Sequence, residues 1–561
     1  MKLKLGFIII ILCVSCGTKV SEEPASTTEK SQPNILWIVT EDISPTLSFY
    51  GDSTAKTPNL DAVAKESMIY DNAFAVVGVC GPSRSSIITG MYPTSIGTMH
   101  MRTGKDIHSW GKRSYNKEAT KKDLQNNPII EYSAVIPAPV KCYTEYLRIN
   151  GYYCTNNQKT DYQFAPPVTA WDENNNKAHW RNRPENTPFF SVFNIGITHE
   201  SQLWKKEKLP LTVDPKRVKV PPYLPDTEAT RQTIARHYSN VELMDSKVGE
   251  IIQQLKNDGL YDNTIIFFYS DHGGPLPRQK REIYDSGLKV PFIIKGIDGK
   301  KGRTDRMISF VDLAPTMLSL AGIEPRNYME GKAFLGEFET EPREYIIGTS
   351  DRFDEFTDRM RALRTKRYLY IKNDFPNLPK YKDVSYRKNI PMMLPFLEMR
   401  DNYELTETER LWFQTKTKEE LYDCKKDLHN INNLANDPEY QKILAEMRVK
   451  LINHQLNRED FGLTPESSLI QQMWPNFQQP ITEKVTFTFE PETGRKVALA
   501  SKTKGVSIGY IVSETAIANP NLNSGWKVYS EPIRVQPGQF VYAMAQRIGF
   551  KESEITKTKV P

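Results

Sequence analysis

Asn34-Ile35-Leu36-Trp37-Ile38-Val39 runs straight into Thr40-Glu41-Asp42. An apolar run without polar alternation suits a strand buried on both faces, as in a parallel sheet. The run ends on two adjacent carboxylates. Residues 189–197 form a second such run, ending at Thr198-His199, and residues 264–269 a third, ending at Ser270-Asp271-His272-Gly273-Gly274. In open α/β sheets the ligand crevice lies beyond the carboxyl ends of the strands. Three core strands therefore carry two carboxylates, a histidine and an Asp-His pair to one sheet edge, which predicts an oxygen-rich divalent-metal site with cations around it. Helical stretches separate the runs. Residues 240–258 place Val241, Met244, Val248, Ile251, Ile252 and Leu255 on one face, with Gly259 as a stop. Asn59 is the expected cap of a helix reaching Ser67. The fold class is α/β.

The chain has 561 residues, 39% hydrophobic and 25% charged. Those values exclude a mostly disordered chain and a polytopic membrane protein, and the length predicts two to four structural units. The formal net charge of +6 lacks the dense basic stripe of a nucleic-acid binder, so no nucleic-acid partner is expected. Six cysteines are too few for a disulfide scaffold. Cys142, Cys154 and Cys424 are expected as buried or free thiols, with a Cys142–Cys154 disulfide open.

The first residues read as an address. Lys2 and Lys4 precede an apolar run over residues 5–14, too short for a bilayer span. Residues 1–15 are the expected signal peptide. Cys13-Val14-Ser15-Cys16-Gly17 resembles a bacterial lipoprotein processing site, with Cys16 lipidated, although Cys13 stands where leucine is usual. The other reading is an ordinary cleaved signal. Either implies export, to the periplasm or to the outer membrane and cell surface. A lipid anchor at Cys16 would be the only membrane contact. Residues 16–33 read as a tether.

Val79-Cys80-Gly81-Pro82-Ser83-Arg84-Ser85-Ser86-Ile87-Ile88-Thr89-Gly90 carries the strongest chemical signal. Pro82 suits a first helical turn, so Cys80 falls at a helix N-terminus, where free N–H groups favour an anion. Arg84 returns toward it one turn later. This is a low-pKa thiol nucleophile beside an arginine.

Cys-x-Pro-x-Arg with a hydrophobic-Thr-Gly ending resembles the signature of type I sulfatases, in which the cysteine is oxidised to formylglycine. Further stretches resemble that family in order: Thr57-Pro58-Asn59-Leu60-Asp61, residues 151–159 ending in Lys159, Ser270-Asp271-His272-Gly273, Lys280 with Tyr284, Lys289-Val290-Pro291, Val311-Asp312-Leu313-Ala314-Pro315-Thr316, and Glu420-Leu421-Tyr422-Asp423. The resemblance covers residues 34–455. It implies an alkaline-phosphatase-like mixed sheet flanked by helices, a smaller antiparallel α+β subdomain, and a sulfuric ester hydrolase. It also implies a maturating enzyme as partner and one divalent ion, calcium in most members, held by Glu41, Asp42, Asp271, His272 and the modified Cys80. One hydroxyl of the formylglycine hydrate would attack sulfur, and loss of the second proton would expel sulfate. Arg84 would contact the hydrate; Lys159, His199 and Lys280 would contact sulfate, with His199 or Lys280 as proton donor to the leaving atom. Three carboxylates against a divalent ion and three cations leave the pocket net positive, as a sulfate ester needs.

Three departures from the family pattern stand out. Glu41 replaces the commoner Asp. Asp161 stands where many members carry histidine, and His100 either contributes to the pocket in its place or is structural. His199 is followed by Glu200-Ser201 rather than x-Pro. Arg352, with Asp354, Arg359 and Arg361, forms a cluster read either as a sugar subsite or as a solvated face.

The expected organisation is a catalytic domain over residues 34–340, its subdomain over 341–456, a linker over 457–480, and a β-sandwich over 481–561 that resembles the C-terminal domain of chitobiase-type glycosidases. Docking and carbohydrate contact are both open for that sandwich. The expected substrate is a sulfated carbohydrate such as ulvan, carrageenan or a glycosaminoglycan, as an O- or N-sulfate. The alternatives are a phosphohydrolase or phosphonate hydrolase of the same superfamily, or a non-catalytic glycan-binding lipoprotein. The first is disfavoured by Cys80 where phosphatases generally use Ser or Thr.

Overall fold

The computed structural model describes residues 32–104, 114–119, 121–491 and 494–561. The signal stretch, Cys16 and nearly all of the expected tether lie outside the described residues. Among those described, no helix is long and apolar enough to cross a membrane.

The opening stretch forms the strand Asn34–Thr40, central in an eight-stranded sheet. The spatial order is Gly302–Ser309, Ser67–Phe74, Phe292–Lys295, Thr264–Ser270, Asn34–Thr40, Phe189–Ile195, Tyr153–Asn157 and Glu173–Asn174. Phe292–Lys295 runs antiparallel to both its neighbours and the other pairings are parallel, so the sheet is mixed.

The apolar run is buried on both faces because its alternate residues serve two different cores. Ile35, Trp37 and Val39 pack with Ile87, Tyr143, Leu147 and Met317. Leu36 and Ile38 pack on the opposite side with Leu60, Val241, Met244 and Leu255. Trp37 meets Phe190 and Tyr269 edge-on, at ring distances of 5.1 and 5.4 Å, a favoured aromatic geometry.

The long helix is Glu228–Asn257, twelve residues longer at its start than its apolar stripe suggests. Thr227 caps it, its side chain accepting from the Thr230 N–H, and Gly259 follows in the left-handed region at φ +67°. Polar Arg231, Arg236 and His237 hide the first turns from a periodicity reading. The expected Asn59 cap is also corrected. Thr57 occupies the cap position ahead of Pro58, and Asn59 instead donates from Nδ2 to Asp245 at 2.8 Å, tying the short helix Pro58–Lys65 to the long one.

Tyr345–Ser350, Met360–Thr365, Tyr368–Asn373 and Glu419–Asp423 make an antiparallel sheet, with the helix Gln441–Leu456 packed on it through Leu444, Met447 and Leu451. Residues 457–480, expected as a linker, contain the helix Glu466–Met473, buried along one face through Glu466, Leu469, Ile470 and Met473. Its Glu466 takes two hydrogen bonds from Arg352, the Nη2 bond measuring 2.7 Å. Arg352 is 1% exposed and also donates to the carbonyls of Met101 and Asp354. Arg352 is thus not part of a solvated face, its guanidinium being taken up by protein partners. Arg361 is likewise committed to Asp351 and Asp460, because a buried guanidinium must have carboxylates around it.

The C-terminal residues form two small sheets that face each other over Val497, Leu499, Val541 and Ala543. This sandwich docks on the catalytic half. Gln546 Oε1 accepts from Val168 N at 2.6 Å, Lys141 Nζ donates to Gly505 O at 2.8 Å, and Val168 packs with Trp526, Tyr542 and Met544. Cys142 and Cys154 are separate buried thiols, so the disulfide left open in the sequence is absent.

Glu466 joins the helix after residue 457 to the subdomain, which makes it a stability test. Burial raises its pKa, but Arg352 and His100 bring it down to about 2 from 4.5. A depressed carboxylate contributes stability that is present above about pH 4.5 and lost as pH falls toward 2. Glu466→Gln strands Arg352 and should cost about 3–5 kcal/mol in urea unfolding at pH 7. It should also remove part of the acid-side slope of stability against pH.

Candidate active site

Every strand-end residue singled out in the sequence lies at one edge of the sheet. Asn34–Thr40 delivers Glu41 and Asp42. Thr264–Ser270 delivers Asp271 and His272. Tyr153–Asn157 leads to Lys159. Phe189–Ile195 continues through one 3₁₀ turn, Gly196–Thr198, to His199. The helix Cys80–Thr89 points its first residue at the same place. Cys80 is fully buried, and Ser83 Oγ fixes the helix start by donating to the Asp271 carbonyl at 2.6 Å. Gly81 lets the Gln163 amide pack close beside it, since a Cβ there would lie 2.1 Å from Gln163 Nε2 and push that side chain aside.

Cys80 Sγ sits 3.4 Å from His272 Nε2 and 3.5 Å from Lys280 Nζ. Burial alone would push this thiol up, but Lys159 and Lys280 bring it down to about 6. Burial moves the other thiols the opposite way, Cys142 and Cys154 well above 9 and Cys424 to about 12. Cys80 is therefore the one described cysteine whose surroundings favour the anion.

Each of the three carboxylates has its own cation. Lys280 Nζ donates to both oxygens of Asp42, at 2.9 and 2.7 Å. Lys159 Nζ donates to Glu41 at 2.7 Å, and Arg84 Nε to Asp271 at 3.0 Å. His272 Nε2 lies 3.1 Å from Asp42, and its Nδ1 donates to the Gly273 carbonyl at 3.0 Å. Burial would raise Glu41 and Asp42, yet these cations hold both below the usual carboxylate range. Burial would lower His272, and Asp271 and Asp42 bring it up to about 10. His199 Nδ1 accepts from Ser201 N at 3.2 Å, leaving Nε2 facing Glu41 at 3.9 Å.

Ligand atoms of Asp42, Cys80, Asp271 and His272 lie within 4.8 Å of one another, as do those of Glu41, Asp42, Cys80 and His199. Carboxylate oxygens converging at this density are hard donors of the kind a calcium-sized ion takes. The donor set fits one divalent cation.

Several of the chain's left-handed non-glycine residues lie at this site. Asp42 (φ 53°), Arg102 (59°), Asp161 (52°) and Arg281 (74°) are all left-handed. Such conformations cost free energy in non-glycine residues and cluster at functional sites.

Asp161 is buried and accepts from Arg102 Nη1 at 2.9 Å, with its other oxygen 3.6 Å from Lys159. It holds a cation in place at the margin of the pocket. His100 is turned away from the pocket. Its Nδ1 accepts from Arg352 N at 3.3 Å, and burial lowers its pKa to about 4. It is a neutral structural histidine, and neither it nor Arg352 reaches Cys80.

Three residues join the site without having been singled out as ligands. Asn194 Oδ1 accepts from Arg84 Nη1 at 2.6 Å; it is the one amide in an apolar strand, which was the available signal. Glu200 donates its N–H to Asp42 at 2.7 Å and receives Arg281 through two 2.9 Å bonds. Arg281 also bonds Asp354 at 2.9 Å, a contact that adjacency to Lys280 could not reveal.

The sulfatase family's profile matches residues 33–323. An "Ulvan-active sulfatase" of Formosa agariphila is 41% identical over 97% of this chain and 95% of its own length. Human "N-sulphoglucosamine sulphohydrolase" is 25% identical over 79% of this chain and 94% of its own. A solved structure described as a 2-O GAG sulfatase superposes with a TM-score of 0.53 at 19% identity, covering 76% of this chain and 92% of that one.

The cation pairing predicts a titration. In metal-free, unconverted protein, the first thiolate absorbance to appear should have its midpoint near pH 6 and vanish in Cys80→Ala. Lys280→Met should move that midpoint upward, since a cation favouring the anion is gone. An unmoved midpoint would refute the assignment of the shift to Lys280.

Proposed function

This chain belongs to the sulfatase family and is a sulfuric ester hydrolase, and we propose that it removes sulfate from a sulfated polysaccharide or its oligosaccharides, using a formylglycine made from Cys80 and one calcium ion. The observation that carries this reading is the placement of Cys80: at a helix start, among three carboxylates, with Lys280 and His272 within 3.5 Å of its sulfur. The ulvan-active relative, matched over nearly the whole chain, supports a polysaccharide substrate.

Glu41, Asp42, Asp271 and His272 would hold the cation, which would supply Lewis acidity toward sulfate oxygens and toward the nucleophilic hydroxyl. A hydrated formylglycine at position 80 would supply two hydroxyls on one carbon, one to attack and one to release the product. The chain's own residues do the rest. Lys159 and Lys280 bring fixed positive charge to the sulfate oxygens in a buried site, where such charge acts most strongly. Arg84, held by Asp271 and Asn194, keeps the nucleophile's side of the pocket in register. His199, with Nδ1 occupied as an acceptor and Nε2 directed at Glu41, is placed to give a proton to the departing sugar atom. Asp161 and Glu200 hold Arg102 and Arg281 at the pocket's margin. Export and lipidation at Cys16 complete the proposal, since an extracellular polymer has to be met outside the cell.

Co-expression with a sulfatase-maturating enzyme should convert the Cys80 thiol to an aldehyde, read by mass spectrometry of its peptide. A persistent thiol in active protein would overturn the formylglycine. Sulfate release from ulvan should stop in Cys80→Ala and after chelation, and return with calcium. His199→Ala should lower kcat about 10²–10⁴-fold, as loss of a general acid does. Turnover of phosphate esters without any release of sulfate would favour the phosphohydrolase instead.

A further inference from the structure

The seam between the sandwich and the catalytic half does not close completely. It holds a cavity of about 560 Å³, a volume typical of ligand sites. On the catalytic side the terminal nitrogens of Arg148 are already committed. Arg148 pairs with Asp172 at 2.7 Å and donates to the carbonyls of Thr169 and Trp526, at 2.6 and 2.7 Å.

The sandwich side is different. In the antiparallel pairing, Lys496 stands directly opposite Arg534, and Lys527 directly opposite Tyr510. Like charges facing each other on neighbouring strands are destabilising. Lys527 and Arg534 are exposed and have no ion-pair partner among the described residues, while Lys496 reaches only Glu490, at 4.0 Å. Glu531 is the one acid on this wall. A second cavity of about 750 Å³ shares Lys496 and Arg534 and is also lined by Arg495 and Glu490. Lys527 and Arg534 are thus exposed cations that no described carboxylate pairs, beside the half-buried ring of Tyr510. Spaced anionic groups joined by flat sugar faces match that arrangement.

We propose that this seam is a second glycan-binding site, which holds a sulfated polysaccharide chain apart from the ester being cleaved. The proposal rests on the polysaccharide reading above. Its location supports a separate role. Asp172 accepts from Cys154 N at 2.8 Å, near the amino end of the Tyr153–Asn157 strand, whereas Lys159 follows the carboxyl end of that strand. A chain bound along Lys496, Lys527 and Arg534 leaves the catalytic pocket free for another of its residues, which raises the local concentration of sulfate esters there.

The test uses the full chain carrying Cys80→Ala, so that bound polymer is not consumed, with ulvan, heparin, chemically desulfated ulvan and duplex DNA as probes. Lys527→Ala/Arg534→Ala should weaken binding of a sulfated polymer at least tenfold, and Tyr510→Ala severalfold, with unchanged unfolding midpoints. In the background with Cys80 intact, sulfate release from a short sulfated oligosaccharide should be unaltered. Unchanged polymer affinity in the double variant, or no binding of either sulfated polymer, overturns the site. DNA bound as tightly as the glycan and indifferent to Tyr510→Ala overturns the assignment to a glycan. A polymer that binds through the seam but is never desulfated sinks the substrate reading alone, and sulfate release from polymer with seam-independent binding sinks the seam alone.

Discussion

Three carboxylates taken out of water at the ends of neighbouring strands would be too costly to keep charged without compensation. Glu41, Asp42 and Asp271 each meet that cost with a separate cation, Lys159, Lys280 and Arg84, brought from a loop, a turn and a helix that are far apart in sequence. The requirement reaches outward. Lys280 is flanked by Glu200, Glu200 by Arg281, and Arg281 by Asp354 on the approach to the second sheet. Charge compensation therefore joins the catalytic sheet to the subdomain alongside apolar packing.

The large sheet makes this possible because its central strands are sealed on both faces. Ile35, Trp37 and Val39 look into one core and Leu36 and Ile38 into the other, so the strand ends can shift little. Polar side chains placed on so stiff a frame are pre-organised, and the left-handed backbone at Asp42 persists because its neighbours over-determine it.

The strands, the edge they share and the gathered residues were legible in the sequence, because apolar continuity and terminal carboxylates are local signals. Cys80, Arg84, Lys159, His199, Lys280, Glu41, Asp42, Asp271 and His272 all reach one place. What was not legible depends on distant partners. Arg352 read as an exposed charge because Glu466, which buries it, lies 114 residues away in a stretch whose prolines suggest a linker. His100 sits two residues from Arg102 yet meets Arg352 and Glu466, while Arg102 meets Asp161. Asn59 had the chemistry of a cap and was needed instead by Asp245 on another helix. Side-chain direction, rather than residue type, separated success from failure in each case.

The helix that begins at Cys80 is buried along its whole length, from Cys80 to Thr89. If Cys80 is converted as proposed, an enzyme acting on its sulfur would not reach it once the sheet and helices have closed. Conversion would then have to precede closure, and the partner's access would become a race against folding. A substitution that made this chain collapse faster would then yield a stable protein with an unconverted thiol at its centre.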